Sequence, residues 1–186
     1  MKDPNLLNNY QNYQDKNLAL IGHMGSGKST IGKLIAKRLK LRYLDSDQLI
    51  EKNTKKKIYE IFKSDGETKF RKIEENTILS LKNKKDLVLS LGGGSIISEK
   101  VRQLLNKNYI TVFLDIDFSI LIKRLKYSTK RPLILGQDIE KKIKELDTAR
   151  RKYYLLADII IKNYDNPTAT LINFLKKYKK LNEKNN

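Results

Sequence analysis

The chain has 186 residues, enough for one domain with a sizeable core, and no cysteine, which excludes disulfides and thiolate metal sites and suits a cytoplasmic enzyme. Its net charge is +18, but the lysines are scattered in short clusters (55–57, 84–85, 141–142, 176–180) without the aromatic–basic interleaving of an RNA-binding motif. A single histidine, His23, leaves little room for a His-based dyad or a zinc site, and no run of about 18 apolar residues is present to span a membrane.

Residues 1–16 are rich in Asn, Gln and Tyr, lack the apolar stretch of a secretion signal and read as a mobile arm. Leu18-Ala19-Leu20-Ile21 reads as a buried strand. It runs straight into Gly22-His23-Met24-Gly25-Ser26-Gly27-Lys28-Ser29-Thr30, which meets the phosphate-loop pattern G-x-x-x-x-G-K-[ST] at every fixed position. Residues 30–39 then read as a helix with Ile31, Leu34, Ile35 and Leu39 on one stripe. Glycines let backbone N–H groups turn around an anion, and the helix N-terminus adds its positive dipole end. Lys28 supplies a point charge for the outer phosphates and Ser29 a hydroxyl for Mg²⁺. His23 occupies a variable position of the loop and reads as a solvated residue near the nucleotide.

Further along, Arg42-Tyr43-Leu44 reads as a second strand ending at Asp45-Ser46-Asp47, and helical patterning resumes at residue 48. A short helix over 57–63 is broken at Ser64-Asp65-Gly66, and a longer one follows over 67–81. Residues 87–91 form a third buried strand that enters Gly92-Gly93-Gly94, where backbone can approach a ligand closely. A helix over 99–105, a fourth strand over 110–114 ending at Asp115, a helix over 118–125, a loop over 127–136 and a long helix over 139–156 come next. A fifth strand at 159–161, a turn at 164–167, a closing helix over 169–178 and a disordered tail (181–186) complete the chain. Strands alternating with helices imply an α/β fold, a parallel sheet covered on both faces, whose ligands gather beyond the carboxyl ends of the strands.

Five stretches keep the order and spacing of one family between about residues 17 and 162. They are Gly25-Ser26-Gly27-Lys28-Ser29-Thr30, Leu44-Asp45-Ser46-Asp47, Asp65-Gly66-Glu67 with Phe70-Arg71-Lys72-Ile73-Glu74, Leu91-Gly92-Gly93-Gly94, and Arg131-Pro132-Leu133. The chain resembles the shikimate kinases. The resemblance implies a three-layer nucleoside-monophosphate-kinase-like fold with a five-stranded parallel sheet in the order 2-3-1-4-5 and one domain over 17–180. It also implies transfer of a phosphoryl group from ATP, with Mg²⁺, to the 3-hydroxyl of shikimate, in chorismate and aromatic amino-acid synthesis. A gluconate or nucleotide kinase shares the phosphate loop and is the alternative. The partners implied are small molecules, with no nucleic acid and no membrane, and a monomer is the common state.

Residue by residue, the resemblance makes Asp47 the carboxylate on the substrate hydroxyls, although Asp is equally at home as a helix N-cap there. Asp45 would stand near Mg²⁺ through water. Arg71 and Arg150 match the arginines that hold the shikimate carboxylate, a task suited to the planar guanidinium fork. Spacing alone reads Arg71 as an ion pair with Glu74 or Glu75, and Arg150 has Arg151 beside it. Which of the two faces the site stays open, because the usual Pro-Leu-Tyr is replaced by Lys152-Tyr153-Tyr154; spacing from Arg131 favours Arg150. Gly93 and Gly94 would offer backbone N–H groups, with Phe62, Phe70 and Pro132 as an apolar wall. Arg131 belongs to a lid over about 126–137 and would settle on the transferring phosphate. Arg124 matches an arginine that packs on adenine, and the 164–167 turn lacks the basic residue common in relatives.

Overall fold

A computed structural model describes residues 17–126, 138–164 and 166–184. The N-terminal arm, Arg131, Pro132 and most of the lid lie outside the described residues, as do residues 185 and 186.

Five strands form a parallel sheet: β1 (Asn17–Ile21), β2 (Arg42–Asp45), β3 (Leu87–Ser90), β4 (Tyr109–Ile116) and β5 (Ile159–Asn163). Their spatial order is β2-β3-β1-β4-β5, the order the resemblance implies. The connection leaving β1 runs toward the β2 edge of the sheet, whereas those leaving β3 and β4 run toward the β5 edge, so the loop after β1 opens at the switch point where such sheets bind ligands. Register is fixed at the base by Asn17, whose side chain donates to Lys84 O (2.7 Å) and accepts from Leu87 N (3.2 Å).

Among the described residues seven α-helices cover the sheet: α1 (Lys28–Leu39), α2 (Ser46–Thr54), α3 (Ile58–Leu79), α4 (Glu99–Asn108), α5 (Phe118–Leu125), α6 (Ile139–Tyr154) and α7 (Pro167–Lys184). Side-chain alternation along β1 divides the core. Leu18 and Leu20 pack with Ile31, Ile35, Phe174 and Tyr178 of α1 and α7. Ala19 and Ile21 pack with Ile78, Val101, Leu105 and Tyr154 of α3, α4 and α6. This is the three-layer arrangement expected of near-continuous apolar strands.

One expected break is found in place, and several element ends differ from the periodicity reading, among them those of β4, β5 and α7. The break expected near residue 66 is present: Gly66, at φ 76°, ψ 171°, is non-helical and separates two helical stretches of α3. No heavy atom lies within 4 Å of a Cβ built on Gly66, so backbone conformation rather than space calls for glycine. The closing helix runs to Lys184 instead of ending near 178, because Leu181 packs on the core and Asn182 is buried.

Candidate active site

The phosphate loop is shaped by Gly25 and Gly27 at φ 78° and 92°, a region costly for residues with a Cβ. No side chain caps the start of α1, so its first N–H groups remain available to an anion. Lys28 Nζ folds back to donate to Gly22 O (2.9 Å) and His23 O (2.6 Å). Asn163, at the end of β5, donates to Ser26 O (2.7 Å) and so ties the loop to the sheet edge. Arg124 of α5 donates to Gly25 O (2.7 Å). A cavity of about 300 Å³ lies against this loop, lined by Gly25, Gly27, Lys28, Ser29, Thr30, Asp45, Asp47 and Arg124 among others.

Asp45, at the end of β2, is the N-cap of α2: its Oδ1 accepts from Asp47 N (3.1 Å) and Gln48 N (3.4 Å). The capping role that Asp47 could have had therefore falls to Asp45, and Asp47 stands in the first turn. Asp45 Oδ2 accepts from Ser29 Oγ (2.9 Å) and Tyr43 OH (3.1 Å). A hydroxyl beside a carboxylate is a hard oxygen pair that fits Mg²⁺, which keeps waters and shares its shell with phosphates.

A second cavity, of about 540 Å³, opens beside the first. Its apolar wall comes from Phe62 and Phe70, rings 4.6 Å apart, and its polar wall from Asp47, Arg71, Glu74 and Arg150. Met24, Asp47, Gly92 and Gly93 line both cavities, and among the described residues Asp47 is the one carboxylate they share.

The kink at Gly66 sets the part of α3 that carries Phe70, Arg71 and Glu74 against this second cavity. Glu74 is buried and satisfied: Oε2 accepts from Arg71 Nη1 and Oε1 from Ser95 Oγ, both at 2.6 Å. Arg71 also donates to Glu67 (2.9 and 3.2 Å), so the ion-pair reading of the spacing and the cavity-facing reading both hold.

Arg150 is in a different state. It is 2% exposed, and neither Nε nor Nη1 has a hydrogen-bond partner among the described residues. Burial first, and the Arg71 cation beside it, pull its pKa below the ordinary guanidinium value. A buried cation with unmatched donors is costly unless an anion completes it. Arg151 turns away, toward Asp115 (3.4 Å) and Asp147 (3.5 Å), so Arg150 is the arginine that faces the cavity.

The triple glycine makes room for these groups. A Cβ on Gly92 would stand 2.5 Å from Glu74 Oε1 and 2.9 Å from Asp47 Oδ1; one on Gly93 would meet Met24 N at 3.1 Å.

His23 corrects the sequence reading. It is buried, with Nε2 2.8 Å from Asp147 Oδ1 and its ring edge-on to Tyr154. Asn163, Tyr43 and Tyr154 were missed. Asn163 sits on the strand-end edge that collects ligands, but its strand runs two residues past the apolar triplet 159–161. Tyr154 donates to Gly93 O (2.5 Å), and burial pushes its hydroxyl up to about 12.

The fold, the phosphate loop and an adjoining cavity lined by Arg71 and Arg150 define a P-loop kinase of small molecules. A shikimate kinase family model matches residues 24–179. Shikimate kinases from Bartonella quintana (41% identical, covering 91% of this chain and 83% of that one) and a Sulfurihydrogenibium species (43% identical, 84% and 93%) are similar along most of their length. The solved structure of shikimate kinase from Acinetobacter baumannii in complex with shikimate superposes with a TM-score of 0.85 at 30% identity, covering 95% of this chain and 98% of that one. A gluconokinase from Sinorhizobium meliloti, at TM-score 0.62 and 17% identity, shares the fold alone. The chain belongs to the shikimate kinase family, and is a phosphotransferase that uses ATP and Mg²⁺.

Proposed function

We propose that the chain transfers the terminal phosphoryl group of ATP to the 3-hydroxyl of shikimate, giving shikimate 3-phosphate and ADP. The observation that carries the choice of acceptor is Arg150: a buried guanidinium with unmatched donors, facing a cavity whose polar wall also holds Arg71. A small hydroxy-acid completes that pair through its carboxylate, held in the two-bond fork that guanidinium favours.

The residues divide the work as follows. Lys28 and the loop formed by Gly25, Ser26, Gly27, Ser29 and Thr30 hold the phosphates, with Arg124 beside them. Ser29 and Asp45 would hold Mg²⁺, which would supply charge neutralisation for the transferring group. Arg71 and Arg150 hold the carboxylate, and Gly93 and Gly94 offer N–H groups to the ring hydroxyls. Phe62 and Phe70 exclude water from the ring. Asp47, common to both cavities, orients the attacking hydroxyl and takes its proton as the new P–O bond forms and the bond to ADP breaks. Arg131, outside the described residues, is assigned the lid role of stabilising charge on the phosphoryl group.

The chain is assigned the monomeric state common among the kinases it resembles. The charge of +18 serves to draw in two anionic substrates rather than a nucleic acid, in the cytoplasm where ATP and Mg²⁺ are at hand. A coupled ADP-release assay with shikimate, gluconate and nucleoside acceptors tests the proposal. ADP formation that requires shikimate is the expected result; ADP release indifferent to it, or driven by another acceptor, overturns the reading.

A further inference from the structure

His23 belongs to the phosphate loop by its backbone and to α6 by its side chain. Its carbonyl accepts from Lys28 Nζ at 2.6 Å, so the loop's lysine is seated partly on this residue. Its imidazole is 5% exposed and leaves the loop to meet Asp147, with Nε2 donating to Oδ1 at 2.8 Å. Phe118 and Tyr154 close on the ring edge-on, at 6.4 and 5.3 Å between centroids. Asp147 lies one helical turn before Arg150 and Arg151, and its Oδ1 is also 3.5 Å from Arg151 Nη1. Arg151 in turn reaches Asp115 at the end of β4.

The helix carrying Arg150 is fixed a second time through Tyr154, whose hydroxyl donates to Gly93 O in the glycine turn after β3. Two fixings on one helix, at 147 and 154, straddle Arg150 and set both its height and its rotation. In-line transfer depends on that placement: an error of about 1 Å in the relation of donor to acceptor can cost on the order of a hundredfold in rate.

We propose that His23 and Asp147 are positioning residues for the transfer, a strap that sets the acid-holding arginine of α6 in register with the phosphate-holding loop. Neither touches a substrate. The proposal rests on the assignment of Arg150 to the substrate carboxylate.

The signature is therefore a loss of turnover without a matching loss of either binding step. His23→Phe keeps the ring that Phe118 and Tyr154 pack on and removes the hydrogen bond; Asp147→Ala removes the acceptor, and Asp147→Asn keeps one. Measured by coupled assay and by calorimetric titration with ADP and with shikimate separately, His23→Phe and Asp147→Ala are each expected to lower kcat about tenfold while both dissociation constants stay within about twofold. Asp147→Asn is expected to retain most of the turnover, and the double variant His23→Phe/Asp147→Ala to be no slower than either single one, since both break the same link. Unchanged kcat in folded His23→Phe overturns the proposal, as do multiplicative losses in the double variant. If Asp147→Ala fails to fold, His23→Phe and Asp147→Asn still decide it. Wild-type protein in the same assay separates the two failures: no shikimate-dependent turnover there sinks the assignment of function, whereas normal turnover with indifferent variants sinks only the strap.

Discussion

Gly94 lies directly beneath the guanidinium of Arg71: a Cβ added to Gly94 would stand 2.5 Å from Nη1 and 2.6 Å from Cζ and Nη2. The glycine is present for space, because its φ of −96° is open to any residue. The guanidinium can move aside, but only by loosening its bonds to Glu74 and Glu67. Gly94→Ala should therefore fold normally and raise the shikimate KM about tenfold, roughly 1.4 kcal/mol, with kcat less affected. Steady-state kinetics with a thermal melt checks this; an unchanged KM would mean that Arg71 does not hold the substrate.

Arg150 predicts the opposite signs for binding and for stability. Its unmatched buried donors penalise the unliganded fold. Arg150→Met, similar in length and without charge, should stabilise the free protein by about 1–2 kcal/mol while weakening shikimate binding by more than a hundredfold. Denaturant unfolding without ligand, paired with titration by shikimate, reads both. Destabilisation without loss of binding would make Arg150 a structural cation.

How much of this was legible in the chain depended on distance along it. The phosphate loop, the strands and the glycine that breaks α3 are local signals, so periodicity and spacing locate them; α5 is recovered with its observed ends. The positions of Asp47, Arg71, Gly93 and Arg150 came from a family resemblance, and the fold does gather all four around one cavity beside Lys28. What could not be read was orientation. Arg150 and Arg151 are adjacent in sequence, and only the packing of α6 on the sheet sends one to the cavity and the other to Asp115. His23 looked solvated because its partner is 124 residues away, and no local pattern announces a buried pair of that separation.

Asp45 combines two duties that one substitution can separate. Asn caps a helix about as well as Asp, but carries no charge. Asp45→Asn should keep the melting temperature within about a degree or two, whereas Asp45→Ala should lose about 1 kcal/mol with the cap. Both should require several-fold more Mg²⁺ for half-maximal turnover, because each removes the carboxylate beside Ser29. A Mg²⁺ titration of activity at saturating ATP checks it; an unshifted Mg²⁺ requirement in Asp45→Asn would leave Asp45 as a cap alone.

His23 also makes a prediction about acid. Burial lowers its pKa from the ordinary 6.5; Asp147 opposes that shift, and the Lys28 and Arg150 cations reinforce it. Tyr154 and Phe118, which close on the ring, carry no charge near neutral pH. Because the folded pKa is depressed, the unfolded chain binds a proton that the folded chain refuses over the interval between the two values. The neutral imidazole's contribution is thus complete above pH 6.5, and is lost progressively as pH falls from there through the folded value. The melting temperature of the wild type should fall more steeply between pH 7 and pH 5 than that of His23→Phe, which has no proton to take up. Melts of the two proteins across that range, at constant ionic strength, decide the point: parallel curves would mean that the imidazole titrates alike in the folded and unfolded chains, and a steeper fall in His23→Phe would mean that it is the charged form that the fold prefers.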